Sequence, residues 1–277
     1  MACKYFRILI YIFAIASGPS IKAQTLADSL FSASQFTTAA LEYERLLYNK
    51  NYANDSIKVN YLERLSVCYI QTQQYDLSID VLDTIVLALP QVDVNSKDAF
   101  LVAKAKLLLA IDKPKTSIKA LNLVSANNRS SADYWRGMSF FKMKKLDSAK
   151  FYFHNSLPIF QHTKIDSTLN KYRKVIRRNN KGRLTLASIL VPGLGQTLAG
   201  RPGKGINSLV VVGGITFLVV NTAQIYTGGL AIFVAPWALR YYFGGLEMTR
   251  KFAQFNKDKI FDTSWHTLLA LEPISIK

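Results

Sequence analysis

Residues 184–248 read LTLASILVPGLGQTLAG, then RPGKG, then INSLVVVGGITFLVVNTAQIYTGGLAIFVAPWALRYYFGGLEM. Within this stretch, residues 206–223 carry no formal charge, and residues 229–246 carry one, Arg240. Each of these two segments approaches the roughly 20 apolar residues that cross about 30 Å of hydrocarbon. A hairpin buried in a soluble core is the alternative, but the rest of the chain is not apolar enough to cover it. We therefore predict a small α-helical membrane domain over residues 184–248.

The two apolar segments are joined by a short stretch that is typical of a tight turn. Gln224–Gly229 reads QIYTGG, which is polar at its edge and contains glycine. This arrangement predicts a helical hairpin. Amphipathic aromatic rings favour the membrane interface, and the hairpin has four that we expect near its ends: Tyr226, Trp237, Tyr241 and Tyr242.

The segment ahead of the hairpin, residues 184–200, contains a helix-breaking sequence. Pro192 removes a backbone donor, and Gly193 and Gly195 weaken a helix, so a continuous helix is not expected. A broken helix inside a membrane must be shielded by protein or water, and the Gln196 amide can bond the freed backbone groups. Two interpretations stay open: a structural break at the membrane surface, or a re-entrant element that shapes a polar site.

Three short motifs carry a resemblance to a known domain: SILVPGLGQ at 188–196, GRPGKG at 200–205 and YFGG at 242–245, followed by Asn256. They resemble a small bacterial membrane domain of unknown function that has a Pro-Gly-x-Gly-Gln signature and often follows tetratricopeptide repeats in exported proteins. The resemblance covers residues 184–260 and implies membrane residence and no known activity. The matching residues of the motif are Pro192, Gly193, Gly195, Gln196, Gly200, Gly205, Gly244 and Gly245.

The first 23 residues have the pattern of a secretory signal peptide. Lys4 and Arg7 form a basic start, residues 8–16 form an apolar run, and Ala23 is a small residue at the predicted cleavage point. An uncleaved N-terminal anchor is the alternative, but the apolar run is short for a membrane span. We predict an exported protein whose mature chain begins near residue 24.

Residues 24–160 show helical periodicity and four internal repeats. The repeats begin at Gln35, Gln74, Lys113 and Lys145, which are 39, 39 and 32 residues apart. In each, a leading residue is followed three positions later by a small residue and four positions after that by a bulky one. These sets are Phe36-Ala39-Tyr43, Tyr75-Ser78-Leu82, Pro114-Ser117-Leu121 and Leu146-Ala149-Phe153. The spacing brackets the 34-residue period of a helix-turn-helix repeat.

The second repeat resembles a tetratricopeptide repeat in nearly every signature position, and the fourth adds a glycine at a close-contact position. The matching residues are Phe36, Ala39, Tyr43, Tyr69, Tyr75, Ser78, Leu82, Pro90, Gly137, Ala149 and Phe153. The resemblance implies a solenoid of about four helix pairs, in which stacking is required because no single pair buries enough surface. A non-repeating helical bundle is the alternative.

Residues 161–183 predict a basic amphipathic linker helix. An apolar stripe formed by Ile165, Leu169, Tyr172 and Ile176 is surrounded by eight basic residues and one acid. Residues 161–277 together hold 16 Lys and Arg against 5 Asp and Glu, whereas residues 24–160 hold 16 against 13. The basic excess therefore lies beside the membrane block, which favours anionic lipid headgroups over nucleic acid as the partner. Charges that only anchor the helix ends are the alternative. The tail, 249–277, is predicted to lie on headgroups as a short amphipathic piece or to pack on the repeats.

Residue patterns that carry catalysis or metal binding are missing from the sequence. The three histidines, His154, His162 and His266, have no second ligand at metal spacing. The GRPGKG motif lacks the Ser or Thr that ends a phosphate-binding loop. We therefore predict no enzymatic activity, no cofactor and no small-molecule substrate.

The predicted fold is all-α: a tetratricopeptide-like helical-hairpin solenoid followed by a small transmembrane domain. The predicted function is a scaffold or adaptor at the bacterial inner membrane, whose repeat arm binds a partner protein or peptide in the periplasm. A non-catalytic component of an envelope transport or assembly complex is the alternative. Two crossings leave Arg201 and Lys204 outside, against the positive-inside rule, and three crossings require the short, broken residues 184–200 to span. The number of crossings stays open.

Overall fold

The computed structural model describes residues 26–50, 52, 54–88, 94–225 and 229–273. These residues form helices and no strand, so the prediction of an all-α fold is confirmed. The described chain divides into two compact units, with the boundary between residues 162 and 163. The predicted signal peptide, Pro90 and Tyr226 lie outside the described residues.

The first unit consists of consecutive helix pairs. The pairs are α1 Leu26–Ser32 with α2 Phe36–Tyr48, α3 Asp55–Gln71 with α4 Tyr75–Ala88, α5 Val94–Ala110 with α6 Pro114–Leu121, and α7 Arg129–Lys142 with α8 Leu146–Ser156. A short 3-10 helix, Ala126–Asn128, precedes α7. The second helix of each pair begins at the leading residue of a repeat.

The same turn joins the two helices of every pair. Two residues before each second helix, one residue takes up a left-handed conformation: Ser34, Gln73, Asp112 and Lys144, at φ of 59°, 61°, 62° and 63°. The amide of the next residue then donates to a carbonyl five positions back, over 2.8–2.9 Å in all four turns. This pair of features defines a Schellman motif, which ends a helix and satisfies its last carbonyls. Four copies of one turn give the four pairs the same local geometry.

The small and bulky residues of the four repeats close the contact within each pair. All eight are fully buried, at 0% exposure: Ala39, Ser78, Ser117, Ala149, Tyr43, Leu82, Leu121 and Phe153. A Cβ added to Gly137 would lie 2.8 Å from the Phe153 ring, so only glycine lets α7 and α8 approach this closely. The leading residues Phe36 and Tyr75 are both half-buried, and Phe36 packs edge-to-face on Phe31.

Polar groups connect neighbouring helices of the first unit. The Asp28 carboxylate accepts hydrogen bonds from the Tyr43 hydroxyl at 2.7 Å and from the Arg64 guanidinium at 2.6 Å, which joins α1, α2 and α3. In α5, burial acts to raise the pKa of Asp98, but hydrogen bonds from Ser125 and Asn128 outweigh it and lower that pKa. A carboxylate held in this way favours the folded state most strongly above the ordinary pKa of an aspartate.

The second unit is built from five helices: α9 Ile159–Arg178, α10 Lys181–Leu190, α11 Leu194–Leu198, α12 Pro202–Ile225 and α13 Gly229–Leu269. α9 begins in the first unit and continues into the second. The prediction of one linker helix over 161–183 is wrong, because α9 ends at Arg178 and α10 begins at Lys181. The side chain of Asn180 accepts a hydrogen bond from the Arg183 amide at 3.3 Å and caps the start of α10.

The predicted tail is also different in the structure. No helix end separates residues 229–248 from 249–277, because α13 runs unbroken through Gly244 and Gly245 to Leu269. Its C-terminal half buries Ala253, Ile260 and Leu268 within the second unit. These apolar residues recur at helical spacing, so this half of α13 packs as a core helix.

α12 is long and apolar enough to cross a membrane. Within the described residues it is the one helix whose length and composition suffice, over Pro202–Asn221, and only 11% of that window is buried. Large apolar side chains such as Val210 and Phe217 are mostly exposed to the surroundings. Such a surface has no favourable place in water, because a continuous apolar patch of this size marks contact with protein or lipid.

Candidate functional site

The predicted break in the helix lies at residues 191–193. α10 ends at Leu190, and Gly193 takes up a left-handed conformation at φ 87° before α11 begins. Gln196 is therefore inside α11 rather than within the break. It is almost fully buried, with 3% of its surface exposed.

Three glycines of the motif allow backbones to touch. A Cβ on Gly193 would lie 2.0 Å from the Gly205 carbonyl oxygen, and one on Gly205 would lie 2.1 Å from the Thr197 hydroxyl. A Cβ on Gly195 would lie 2.1 Å from the Leu184 carbonyl oxygen. Since real Cβ atoms do not approach other atoms so closely, α10, α11 and α12 can meet in this way only through glycine.

A hydrogen-bonded network fixes α13 against this cluster. The Ser188 hydroxyl accepts from the Gly195 amide and shares a hydrogen bond with the Thr249 hydroxyl, each at 3.0 Å. The Gln196 side-chain amide donates to the Gly245 carbonyl at 3.0 Å. We predicted that Gln196 bonds backbone groups freed by Pro192, and this prediction is wrong about the partner. The partner is the Gly245 carbonyl of α13, 49 residues further along the chain.

The structure thus places most of the predicted motif together. Pro192, Gly193, Gly195, Gln196, Gly205 and Gly245 lie at or next to the contacts among α10, α11, α12 and α13. Gly200 and Gly244 lie apart from them, since a Cβ added at either would have no atom within 4 Å. Gly200 still needs glycine for its backbone, at φ 87°.

A groove of about 640 Å³ lies between α12 and α13, next to Gln196. α12 lines it with Lys204, Asn207, Ser208, Val211 and Val212. α13 lines it with Trp237, Arg240, Tyr241, Gly244, Gly245 and Met248. The lining holds two side-chain amides, two hydroxyls and two basic side chains, and no acidic one. Most of its remaining walls are apolar.

Sequence reasoning did not single out Arg240 as a site residue, although a signal for the groove exists. The lining residues of α13 recur every three or four positions, and so do those of α12. Helical spacing of polar and small residues within an apolar helix marks a face that contacts something other than lipid. The groove can be recognised from this spacing only when the pairing of α12 and α13 is known, because each helix alone contributes only a few polar groups.

The amide of Asn256 connects three separate segments of the second unit. It donates to the Asn179 side chain at 2.9 Å and to the Ala199 carbonyl at 2.8 Å. α13 is thereby joined to the end of α9 and to the loop between α11 and α12. Asn256 belongs to the resemblance of residues 184–260, and its contacts give it a positioning role.

The histidines and the free cysteine form no metal-binding cluster in the described part of the chain. His154 and His162 stack at 4.0 Å between ring centroids, and the Nε2 of His162 lies 2.9 Å from the Leu157 carbonyl oxygen. Burial raises the pKa of the Cys68 thiol to about 12, so this cysteine is a buried apolar group rather than a nucleophile.

Comparison with protein-family models, curated protein sequences and solved structures finds no match to this chain.

Proposed function

We propose that the protein is a membrane-tethered scaffold of the bacterial cell envelope. Its first unit is a tetratricopeptide-type arm in the periplasm that binds a partner protein or peptide. Its second unit is a small transmembrane domain of the inner membrane, whose basic helix α9 lies near anionic headgroups. The protein has no chemistry of its own in this proposal.

The observation that carries the proposal is the fourfold turn with its buried small and bulky residues. Independent helices have no reason to repeat one Schellman turn and then bury a small residue three positions into the next helix. Stacked repeats do, because each pair needs the same close approach and the same filling side chain. Repeat arrays of this kind serve as binding surfaces more often than as catalysts, since they offer an extended face and no enclosed site.

The arm also offers apolar contacts for a partner. Tyr48 and Leu87 each lie twelve positions after the first residue of α2 and α4, and their exposures are 88% and 80%. Large side chains that stay exposed at corresponding points of successive pairs favour a common binding edge. α12 supports the tether, since its exposed apolar surface fits a bilayer.

The proposal predicts that the partner is recruited to the membrane through the second unit. A photo-crosslinking residue in place of Leu87, in a chain expressed in a bacterial envelope, is expected to trap one defined protein. With the full chain, the adduct is expected in membranes that have been washed with sodium carbonate. With a chain that ends after His162, the same adduct is expected in the soluble fraction.

The same crosslinker in place of the exposed Asp80, on the same helix α4, is the matched control and is expected to trap less of that protein. Equal adducts at both positions contradict the binding edge. A full chain that carbonate releases from membranes contradicts the tether. An insoluble or unfolded shortened chain contradicts the independence of the arm.

The groove beside Gln196 favours a second candidate, a non-catalytic component of an envelope transport or assembly complex. Polar groups in a membrane domain are costly unless they face protein or water. Gln196, Asn207 and Arg240 share one groove, whereas Asn221 lies roughly 20 Å further along α12. In this second candidate, water fills the groove and the three side chains line a polar path.

Two neighbouring cysteine substitutions separate these candidates. Val211→Cys places a thiol in the groove, and Val210→Cys places one on the exposed apolar face at the same depth. A water-filled groove predicts that a membrane-impermeant maleimide labels position 211 and not position 210. If neither labels, the groove holds no water and the polar path is excluded. Cys3 is replaced by serine beforehand, and Cys68 is too deeply buried to react.

A further inference from the structure

A second cavity of the second unit has a lining of unusual charge. It measures about 490 Å³ and lies among α9, α13 and the loop that precedes α12. Lys171 and Arg178 on α9 and Lys259 on α13 contribute to its walls, and no acidic residue does. All three residues are exposed, so solvent screens their mutual repulsion, but like charges around one small volume still favour an anion between them.

No carboxylate forms an ion pair with these cations within the described residues. Lys171, Arg178 and Lys259 form no ion pair there, and Asp258, the acid next to Lys259, accepts a hydrogen bond from Gln254 at 2.6 Å. The Arg178 Nε donates to the Leu198 carbonyl at 3.3 Å, which holds the guanidinium at the wall of the cavity. The three cations are therefore positioned by the protein with no described carboxylate at ion-pair distance. The Asp258 carboxylate acts on α9 only at longer range, where, after burial, it helps to raise the pKa of Tyr172.

The side-chain amides in the remaining walls already have hydrogen-bond partners. Both donors of the Asn256 side-chain amide are engaged, one by Asn179 and one by Ala199. Asn179 is 4% exposed, and its own amide donates to the Val175 carbonyl at 2.9 Å. Since these amides hold the elements in place, the cations are left as the donors for a ligand. Such a set suits a phosphate group, which accepts several charge-assisted hydrogen bonds.

The position of the cavity selects the source of the phosphate. Gly200 lines the cavity and lies two residues before Pro202, where the apolar helix α12 begins. Two residues span at most about 7 Å of chain. Under the proposed function, in which α12 crosses the bilayer, the cavity therefore opens at the level of the lipid headgroups. At that level the phosphates of the lipid headgroups are the most concentrated anions.

We infer that this cavity binds the phosphate of an anionic phospholipid headgroup, with Lys171, Arg178 and Lys259 as its ligands. The inference rests on the proposed membrane tether, and it adds a defined lipid site to it. The cationic wall selects lipids with net negative charge, such as phosphatidylglycerol, over zwitterionic phosphatidylcholine. Occupation of the site fixes α9 against α13 at the membrane surface.

The test uses the full chain in a neutral detergent and measures equilibrium binding of short-chain phosphatidylglycerol, short-chain phosphatidylcholine and inorganic phosphate. The expected order places phosphatidylglycerol well ahead of the other two. The double variant Lys171→Gln/Lys259→Gln is expected to weaken phosphatidylglycerol binding about tenfold or more, because each cation near a headgroup contributes attraction. The matched control is Lys174→Gln/Arg177→Gln, which removes the same charge from the exposed surface of α9 outside the cavity.

Three results overturn the inference. If the two lipids bind equally, the charge of the headgroup plays no role. If the cavity variant and the control variant lose the same affinity for phosphatidylglycerol, the binding is due to general surface electrostatics. Binding of inorganic phosphate as strong as that of phosphatidylglycerol assigns the cavity to a soluble anion. Should the double variant unfold, Lys171→Gln alone is measured in its place. Release of the full chain by carbonate, with selective binding retained, refutes the tether and leaves the anion site standing.

Discussion

Gly195→Ala is expected to destabilise the second unit by about 3 kcal/mol or more. This is at or above the upper end of the usual cost of adding atoms to a packed core. The added Cβ would lie 2.1 Å from the Leu184 carbonyl oxygen and 2.4 Å from the Ser188 hydroxyl. The first of these atoms is backbone, so a side-chain rotation cannot relieve the clash. α10 and α11 would have to separate, and the Ser188–Thr249 hydrogen bond would be lost with them. Thermal unfolding of the full chain in detergent measures the effect.

Gly244→Ala is the matched control for this prediction. Both glycines are helical, but a Cβ at position 244 meets no atom within 4 Å. Alanine is therefore expected to leave stability unchanged or to raise it by up to about 1 kcal/mol, since it stabilises a helix interior relative to glycine. A similar unfolding temperature for both variants contradicts the close backbone contact of α10 with α11. Loss of stability in the control alone contradicts the groove, because it places an atom near Gly244.

The helix pairs of the first unit show what a sequence can predict by internal comparison. The residues that lead the repeats, from Phe36 to Leu146, are the first residues of the second helices. Their partners, such as Ala39 and Tyr43, are fully buried. These features are local, because a turn and the two following helical turns are determined within about ten residues. The four turn residues themselves gave no signal, since Ser, Gln, Asp and Lys replace the glycine that usually takes the left-handed position.

The second unit shows where local patterns stop. The sequence pointed to Gln196 through its position beside Pro192, yet its partner is Gly245, and no spacing rule connects the two. The continuation of α13 past Met248 was missed for a related reason. The tail mixes Lys and Arg with large apolar residues, which resembles a headgroup-binding helix. Only the packing of Ala253 and Leu268 distinguishes a core helix from a surface one. Likewise, the sequence does not show that Lys171 and Lys259 line one cavity, because this depends on the packing of α9 beside α13.

Leu82→Ala is expected to destabilise the first unit by roughly 2–5 kcal/mol. The Leu82 side chain is fully buried at the bulky position of the second repeat, on the helix that lies between α3 and α5. Truncation removes apolar contacts and leaves a cavity that the paired helices cannot collapse to fill, because Ser66 and Ser78 hold them together through a 2.8 Å hydrogen bond. Denaturant unfolding of the chain that ends after His162, followed by far-UV circular dichroism, measures the loss.

Leu87→Ala, on the same helix, distinguishes the role of Leu82 from a general need for leucine. Its side chain is 80% exposed, so its removal is expected to change the free energy of unfolding by no more than about 0.5 kcal/mol. Stacked repeats transmit a local loss to their neighbours, since each pair is stable only against the next. Unfolding of the Leu82→Ala chain is therefore expected to begin in α3 and α4 and to spread, which hydrogen exchange resolves helix by helix. A loss below about 0.5 kcal/mol for Leu82→Ala, or exchange confined to α4 alone, contradicts the stacked arrangement and favours a helical bundle without repeats.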